Sequence, residues 1–181
     1  MTPEAGATRV VQHTLSHPPT LGAGRLVCVD GPAGSGKTSL AAAVARRTDA
    51  QVVHMDDLYG GWDGLLWVAA RVERLLRPLS RGLHGPWQRY DWHAARFAEW
   101  HQVRPGGLVL LEGVGSGGRA WAGLTTTLVY VEAPRSVRLR RGLDRDGDEQ
   151  AEHWRRFMVQ EDLLLSRERT RARAHLVVPT P

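Results

Sequence analysis

Short apolar runs alternate along this chain with longer amphipathic segments. Five runs are short enough for strands and consist largely of residues that proteins bury, at residues 25–30, 51–55, 108–111, 126–131 and 174–178. A continuous apolar run of this length is typical of a strand that is covered on both faces. The pattern therefore predicts a mostly parallel, five-stranded sheet.

The segments between these runs carry apolar residues at helical spacing. Residues 38–47 are rich in alanine and end in two arginines, which a helix C-terminus favours. Asp63 can cap a helix that stops at Pro78, and two more helices are predicted at 135–143 and 149–169. Strands that alternate with helices predict an α/β fold in which helices cover both faces of the sheet.

Two stretches show no such period. Residues 1–24 are interpreted as a peripheral lead-in, with one or two helical turns at 10–15, before a single domain at 25–181. Residues 79–105 are polar and rich in glycine and tryptophan, so we expect an excursion over an active site rather than core. A chain of 181 residues suits one α/β domain.

The first predicted strand leads into a glycine-rich segment that matches G-x-x-x-x-G-K-[ST], namely Gly31-Pro32-Ala33-Gly34-Ser35-Gly36-Lys37-Thr38. Such a loop brings backbone N–H groups close to phosphates, and the following helix directs its positive end at the anion. Lys37 is the only lysine of a chain that otherwise uses arginine. A slim ammonium fits through the loop where a planar guanidinium does not. We predict that this segment and Ser39 bind ATP, with Lys37 catalytic and Thr38 on Mg²⁺.

Acidic residues follow the second and third predicted strands. Asp56 and Asp57 end the second strand and Glu112 ends the third. The carboxyl ends of parallel strands gather ligands at one edge of a sheet. We expect Asp56 to accept a proton from an acceptor hydroxyl or to hold a metal-bound water, and Glu112 to be an outer-shell Mg²⁺ carboxylate. A turn or helix cap is the alternative role for the two aspartates.

Two arginines near residue 140 have the spacing of one helical turn. Arg141 and Arg145 therefore lie on one face of a helix, and phosphoryl transfer needs mobile cations around the transferred group. We predict a short lid at about 140–150 in which both arginines act in catalysis. The alternative is a solvated helix face whose arginines pair with neighbouring aspartates.

Together these motifs resemble the uridine kinase branch of P-loop kinases, which is related to phosphoribulokinase and pantothenate kinase. The resemblance covers about residues 25–178. Besides the glycine-rich loop and the arginines, it rests on Met55-Asp56-Asp57-Leu58-Tyr59, Tyr90-Asp91-Trp92 and Leu110-Leu111-Glu112-Gly113. It implies a P-loop NTPase three-layer sandwich, ATP and Mg²⁺ as cofactors, and a nucleoside as the phosphoryl acceptor.

The resemblance also implies roles around the acceptor. Asp56 would be the catalytic base, Tyr59 would lie beside the acceptor, and Asp91 would bind its hydroxyls. Glu112 would help to hold Mg²⁺, and Asp56 is a further candidate ligand of this ion. The other residues expected at the acceptor are Asp57, Arg89, Tyr90 and Trp92.

Other activities fit parts of the same sequence. The loop at 30–37 by itself is similar to that of cytidylate kinases, which favours a nucleoside monophosphate kinase as the second candidate. A nucleotide-binding switch or ATPase without a dedicated acceptor is the third. Residues 113–118 satisfy G-x-G-x-x-G, but too few residues precede the next strand for the crossover helix of a dinucleotide-binding unit.

Composition limits the partners and the compartment. The formal net charge is +5 and the pI is near 10.3, but the arginines are spread among acidic residues, and a small polyanion accounts for the dense group near 140. We expect ATP and a small acceptor as partners, with no nucleic-acid polymer and no membrane. A single cysteine, Cys28, excludes an internal disulfide. Without a signal-peptide pattern or a long apolar stretch, a cytoplasmic location is expected.

Overall fold

A central sheet of parallel strands organises the protein in the computed structural model, which describes all 181 residues. The elements in chain order are α1 (Pro3–Ser16), β1 (Arg25–Asp30), α2 (Lys37–Ala45), β2 (Gln51–His54), α3 (Ala69–Leu79), β3 (Gly85–Asp91), β4 (Arg96–Val103), β5 (Leu108–Glu112), β6 (Thr127–Glu132), α4 (Arg135–Asp146), α5 (Ala151–Glu168), α6 (Thr170–Arg173) and β7 (Leu176–Pro179). Short 3-10 helices lie at Met55–Asp57, Leu65–Trp67, Arg119–Leu124 and Asp148–Gln150.

The five strands of the sheet have the order β2-β5-β1-β6-β7, and all neighbours are parallel. This confirms the mostly parallel, five-stranded sheet that the apolar runs predicted. The register places Glu112 opposite both Val29 and His54. The ends of β1, β2 and β5 therefore meet at one edge, where the predicted site residues lie.

Two apolar cores cover the two faces of the sheet. The larger core lies under α3 and α5 and includes Val72, Leu75 and Phe157, and the smaller lies under α1 and α2 and includes Val10 and Leu40. Helices on both faces make the three layers expected of the fold. No helix is both long enough and apolar enough to cross a membrane.

The N-terminal segment is more ordered than the expected peripheral lead-in. Pro3–Ser16 is a 14-residue helix, and the Thr2 side chain caps it by accepting the N–H of Ala5 at 3.3 Å. Ala7 and Val10 are fully buried in the smaller core. Because one of these core positions is a small alanine, the apolar signal of this helix is weak in the sequence.

The stretch 79–105, expected as an excursion over an active site, contains a β-hairpin that the sequence analysis did not predict. β3 and β4 pair in antiparallel fashion from Gly85↔Val103 to Asp91↔Arg96. The connecting turn has no glycine or proline, and Ala95 adopts a positive φ of 49°. Glycine is the usual residue for that conformation, so the sequence lacks the glycine that commonly marks a turn.

Several helix boundaries also differ from the expected ones. α3 begins at Ala69, after the 3-10 helix Leu65–Trp67, and it contains Pro78 in its last turn. In the last turn, proline lacks only the hydrogen bond that its own N–H would donate, so the helix can continue to Leu79, one residue beyond Pro78. α4 extends to Asp146, and Gly147 with a φ of 97° separates it from the next turn. The predicted lid region is therefore mostly helical.

Candidate active site

The glycine-rich loop joins β1 to α2 and leaves the first turn of that helix open to a ligand. Gly36 is the N-cap residue of α2, has a φ of 94° and provides no side-chain cap. A helix N-terminus with free N–H groups is a ready site for an anion. Lys37 begins the helix with 7% exposure, and its Nζ donates to the Pro32 carbonyl at 2.9 Å. Burial lowers the pKa of Lys37, whereas nearby carboxylates, Glu112 foremost, raise it.

Thr38 and Glu112 form an oxygen-rich group next to Lys37. Thr38 Oγ1 donates to the two carboxylate oxygens of Glu112 at 3.3 and 3.4 Å. His54 Nδ1 donates to Glu112 Oε1 at 2.6 Å, and this hydrogen bond raises the pKa of His54. Hydroxyl and carboxylate oxygens are hard donors that fit Mg²⁺. No group of three or more His, Cys, Asp or Glu side chains is placed to hold a metal ion.

Asp56 lies in the 3-10 helix directly after β2, at the same sheet edge. Its side chain is exposed and borders the cavity. Partial desolvation by the surrounding protein atoms and the charge of Glu112 raise the pKa of Asp56, while Lys37 and Arg145 lower it. A carboxylate with a raised pKa accepts protons more readily than an ordinary aspartate. Burial raises the pKa of Asp57 as well.

One cavity of about 1370 Å³ connects these groups. Most single-ligand pockets have about 300–1,000 Å³, so this one has room for a nucleotide and a second molecule. One side is formed by the phosphate loop and the acidic sheet edge, including Gly34, Lys37, Thr38, Asp56 and Glu112. The other side is aromatic and is formed by Tyr59, Trp62, Trp92, Trp154 and Phe157.

Trp62 is the centre of the aromatic side. Its ring centre lies 5.6 Å from that of Trp92, 6.5 Å from Trp154 and 6.0 Å from Phe157, all in edge-to-face contact. Trp92 Nε1 donates to the Asp56 carbonyl at 3.0 Å, which brings the hairpin turn to the acidic edge. Trp154 and Phe157 escaped the sequence analysis because only the packing of α5 brings them here.

Tyr59, expected beside the acceptor, forms part of the wall and is 1% exposed. Its hydroxyl donates to the Val114 carbonyl at 2.6 Å. The ring faces the larger apolar core, where Phe157 lies 6.0 Å away. Tyr59 can therefore shape the cavity, while its hydroxyl is already bonded within the protein.

Three of the expected acceptor residues lie outside the cavity wall. Arg89 Nε donates to Glu99 at 2.5 Å, and its Nη2 donates to Asp91 at 3.3 Å. The other carboxylate oxygen of Asp91 accepts the N–H groups of His93 and Ala94 in the hairpin turn. Tyr90 packs within the hairpin. The structure thus brings Asp57, Tyr59 and Trp92 to the cavity, but not Arg89, Tyr90 or Asp91.

Arg141 and Arg145 both line the cavity from α4. Arg141 Nη1 donates to the Gly34 carbonyl at 3.2 Å and to Thr180 Oγ1 at 3.3 Å. Arg145 Nε donates to Asp146 at 2.7 Å, and this hydrogen bond raises the pKa of Arg145. The Arg145 side chain is 64% exposed, so it has room to move. Both sequence interpretations of this helix therefore have a counterpart in the structure.

The second glycine-rich segment, at 113–118, wraps around a carboxylate of the chain itself. Asp30 is fully buried at the end of β1 and accepts the N–H groups of Gly31, Gly115 and Gly117 at 2.7, 2.8 and 2.9 Å. This explains G-x-G-x-x-G without a dinucleotide. Sequence analysis did not single out Asp30, although an acidic residue directly before the phosphate loop was a visible signal.

Comparison with known proteins identifies the fold. No family model and no curated protein matches the chain. It is similar to the structure of a candidate uridine kinase from Bacillus stearothermophilus, with a TM-score of 0.67, 21% identity, and coverage of 96% of this chain and 97% of that one. The chain has a uridine kinase-like P-loop kinase fold.

A second structure of this fold is that of a candidate fructose transport system kinase from Silicibacter sp. TM1040. Its TM-score is 0.68 at 20% identity, over 99% of this chain and 100% of that one. Both neighbours are named as kinases, and their names differ in the acceptor. The fold resemblance expected from the motifs is confirmed.

Proposed function

We propose that this protein is an ATP- and Mg²⁺-dependent kinase that transfers the γ-phosphoryl group of ATP to a hydroxyl of a small molecule. The observation that carries the proposal is the convergence of Lys37, Thr38, Asp56 and Glu112 on one cavity at the open N-terminus of α2. Phosphoryl transfer depends mainly on positioning and on charge stabilisation. These four side chains supply the groups that both tasks require.

On the donor side, the loop and the first turn of α2 would hold the phosphates. Lys37 would keep its bond to the Pro32 carbonyl, direct its other two N–H donors at phosphate oxygens and stabilise the negative charge of the transferred group. Thr38 and Glu112 would hold Mg²⁺, Glu112 through water. When bound, the ion neutralises charge on the phosphates. Arg141 and Arg145 would add positive charge from α4.

On the acceptor side, Asp56 would act as the general base. The acceptor oxygen forms a bond to the γ-phosphorus, the bond from that phosphorus to the bridging oxygen of ADP breaks, and the hydroxyl proton passes to Asp56. The raised pKa of Asp56 suits it to take this proton. Closure of the arginine-bearing helix α4 over the cavity would keep water from competing as the acceptor.

A nucleoside is the acceptor that we propose. On the aromatic side of the cavity, Trp62 and Trp92 keep part of their rings exposed for contact with a flat base, and a nucleoside carries the hydroxyl that Asp56 needs. A nucleoside monophosphate would require a free basic side chain near its phosphate. Arg89, the arginine expected at the acceptor, lies outside the cavity wall and is paired with Glu99 and Asp91. This pairing favours the nucleoside over the monophosphate.

A transfer assay with γ-labelled ATP tests the proposal. Nucleosides, nucleoside monophosphates and free sugars, fructose among them, are compared as acceptors, with Lys37→Ala as the inactive control. We expect labelled nucleoside monophosphate. Labelled nucleoside diphosphate would show that a nucleoside monophosphate is the acceptor, and labelled sugar phosphate would show that a sugar is. ATP hydrolysis that no acceptor changes would contradict a kinase and support an ATPase.

A further inference from the structure

A buried ion pair lies directly behind the phosphate loop. Glu161 on α5 is 0% exposed and Arg138 on α4 is 5% exposed. Arg138 Nη1 donates to Glu161 Oε1 at 2.5 Å. Taking two charges out of water is costly, and apolar side chains in the same place are often as stable. Stability alone therefore does not account for a buried ion pair at this position.

The ion pair holds both polar backbone groups of one loop residue. Glu161 Oε2 accepts the N–H of Ala33 at 2.7 Å. Arg138 Nη1, the same nitrogen that contacts Glu161, donates to the Ala33 carbonyl at 3.3 Å. Ala33 is thus fixed by side chains from two helices that lie more than a hundred residues later in the chain.

The contact at Ala33 bears on Lys37 through a single peptide group. The N–H of Ala33 and the carbonyl of Pro32 belong to the same planar, trans peptide, so they point in opposite directions. Glu161 binds the N–H, and Lys37 Nζ donates to the carbonyl at 2.9 Å. With the N–H held towards α5, the carbonyl is turned towards the lysine.

The loop also touches the backbone of α4. Gly34 has a φ of 74°, and a Cβ at this position would lie 2.5 Å from the Arg138 carbonyl oxygen. A larger residue would push α4 away from the loop. The same helix supplies Arg141, which donates to the Gly34 carbonyl. Arg138 and Arg141 thus hold neighbouring loop residues.

We propose that Glu161, supported by Arg138, is a positioning residue that orients the Pro32–Ala33 peptide and thereby the Lys37 ammonium for phosphate binding. The inference rests on the proposed function, because it assigns Glu161 a role in binding ATP. Loss of the contact should weaken ATP binding by about tenfold or more, the size of one charge-assisted hydrogen bond. The KM of the acceptor should change much less.

The chain offers a matched control for a purely structural role. Arg135 and Asp162 form an ion pair between the same two helices at 2.7 Å. Both side chains are 54% exposed. Neither contacts the loop. If the buried pair only joined α4 to α5, the loss of either pair would affect ATP binding through the same route.

Three double variants separate the contributions. Arg138→Met/Glu161→Met replaces the buried pair with apolar side chains and removes both contacts to Ala33, a change that buried pairs often tolerate. Arg138→Met/Glu161→Gln restores an amide oxygen that can accept the Ala33 N–H. Arg135→Gln/Asp162→Asn removes the exposed pair. ATP affinity is measured by calorimetry, exchange of the Ala33 amide by NMR, and folding by thermal melting.

We expect the Kd of ATP to rise at least about tenfold in the apolar variant, to return to within about threefold of wild type with glutamine, and to stay unchanged in the control. Ala33 amide exchange should accelerate only in the apolar variant. Wild-type affinity in the folded apolar variant, or no recovery with glutamine, would overturn the proposal.

Two further outcomes are also decisive. Should the apolar variant not fold, Glu161→Gln alone is compared with wild type, because Ala33 and Arg138 donate to separate carboxylate oxygens and glutamine has an NH₂ group, which cannot accept, in place of one of them. A Kd raised by at least about threefold supports the role, and an unchanged Kd overturns it. Wild-type protein that binds ATP without transferring phosphoryl to any acceptor refutes the proposed function and leaves the role of Glu161 intact.

Discussion

At the residue scale, the partners of each charged group indicate its role. Lys37 makes its one hydrogen bond to a backbone carbonyl, so its charge is left for a ligand. Arg138 donates hydrogen bonds to Glu161 and to the Ala33 carbonyl. Arg89 forms ion pairs with Glu99 and Asp91. These arginines cannot replace Lys37 without giving up contacts that shape the loop or the hairpin.

Replacement of Lys37 should therefore affect the ligand and spare the fold. In Lys37→Ala we expect turnover to fall by about 10² or more, since one preorganised donor to the transition state contributes about that much. Melting of the protein without ATP should change by only a few degrees. Lys37→Arg is the control for charge and should also be inactive, because its guanidinium is too broad for the loop. A large drop in the melting temperature would mean that the lysine is structural.

Asp56→Asn tests the general base. The amide keeps the shape and cannot take a proton, so we expect turnover to drop by about 10²-fold or more while ATP affinity stays within about threefold. Because the pKa of Asp56 is raised, its carboxyl becomes protonated, and turnover falls, at a higher pH than for an ordinary aspartate. Asp57→Asn is the matched control, because it makes the same substitution at the neighbouring residue of the same 3-10 helix. An acid limb of kcat that persists in Asp56→Asn would assign the base elsewhere.

At the element scale, the sequence predicted what local pattern and sheet topology determine. Lys37 and Thr38 follow from a motif, and Asp56 and Glu112 from the rule that parallel strands end at one edge. The hairpin was missed because its turn uses Ala95 rather than glycine. That turn also decides where Arg89 and Asp91 point, so their place could not be predicted without it.

α1 provides a second case in which packing decides the outcome. Its His13 stacks on His17 with 4.2 Å between ring centres, and on His175 beside β7 with 5.0 Å. His175 Nδ1 accepts the N–H of Leu128 at 2.8 Å, which requires that nitrogen to be unprotonated. The stack therefore joins the N-terminal helix to the edge of the sheet in its neutral form.

Acid should weaken this attachment of α1. Burial and neighbouring histidines lower the pKa of His13, and burial and His17 lower that of His175. Their contribution to stability is complete above the unfolded pKa of about 6.5 and is lost as pH falls below it, because the unfolded chain binds protons more readily. We expect the melting temperature of wild type to fall by a few degrees more than that of His175→Asn between pH 7.5 and 5.5. Equal falls in both would show that His175 does not contribute.

At the scale of the whole molecule, the walls of the cavity are formed by parts of the chain that are far apart in sequence. α5 holds the loop before α3 through Arg156, which donates to Asp63 at 2.9 Å, and through Gln160, which donates to the Trp62 carbonyl at 3.1 Å. It also holds the phosphate loop through Glu161. Helix α5 therefore contacts both the donor side and the acceptor side of the cavity.

This arrangement predicts that the lid closes only when both sides are filled. We expect ATP with an acceptor, and not ATP alone, to slow hydrogen exchange at 140–148 and 60–64 together, because Arg145 must leave Asp146 to reach the phosphates. Arg141→Ala should lower turnover by about tenfold or more with little change in melting, whereas Arg140→Ala, at an exposed position of the same helix, should match wild type. Unchanged exchange together with unchanged turnover would leave the arginines of α4 as ordinary surface charge.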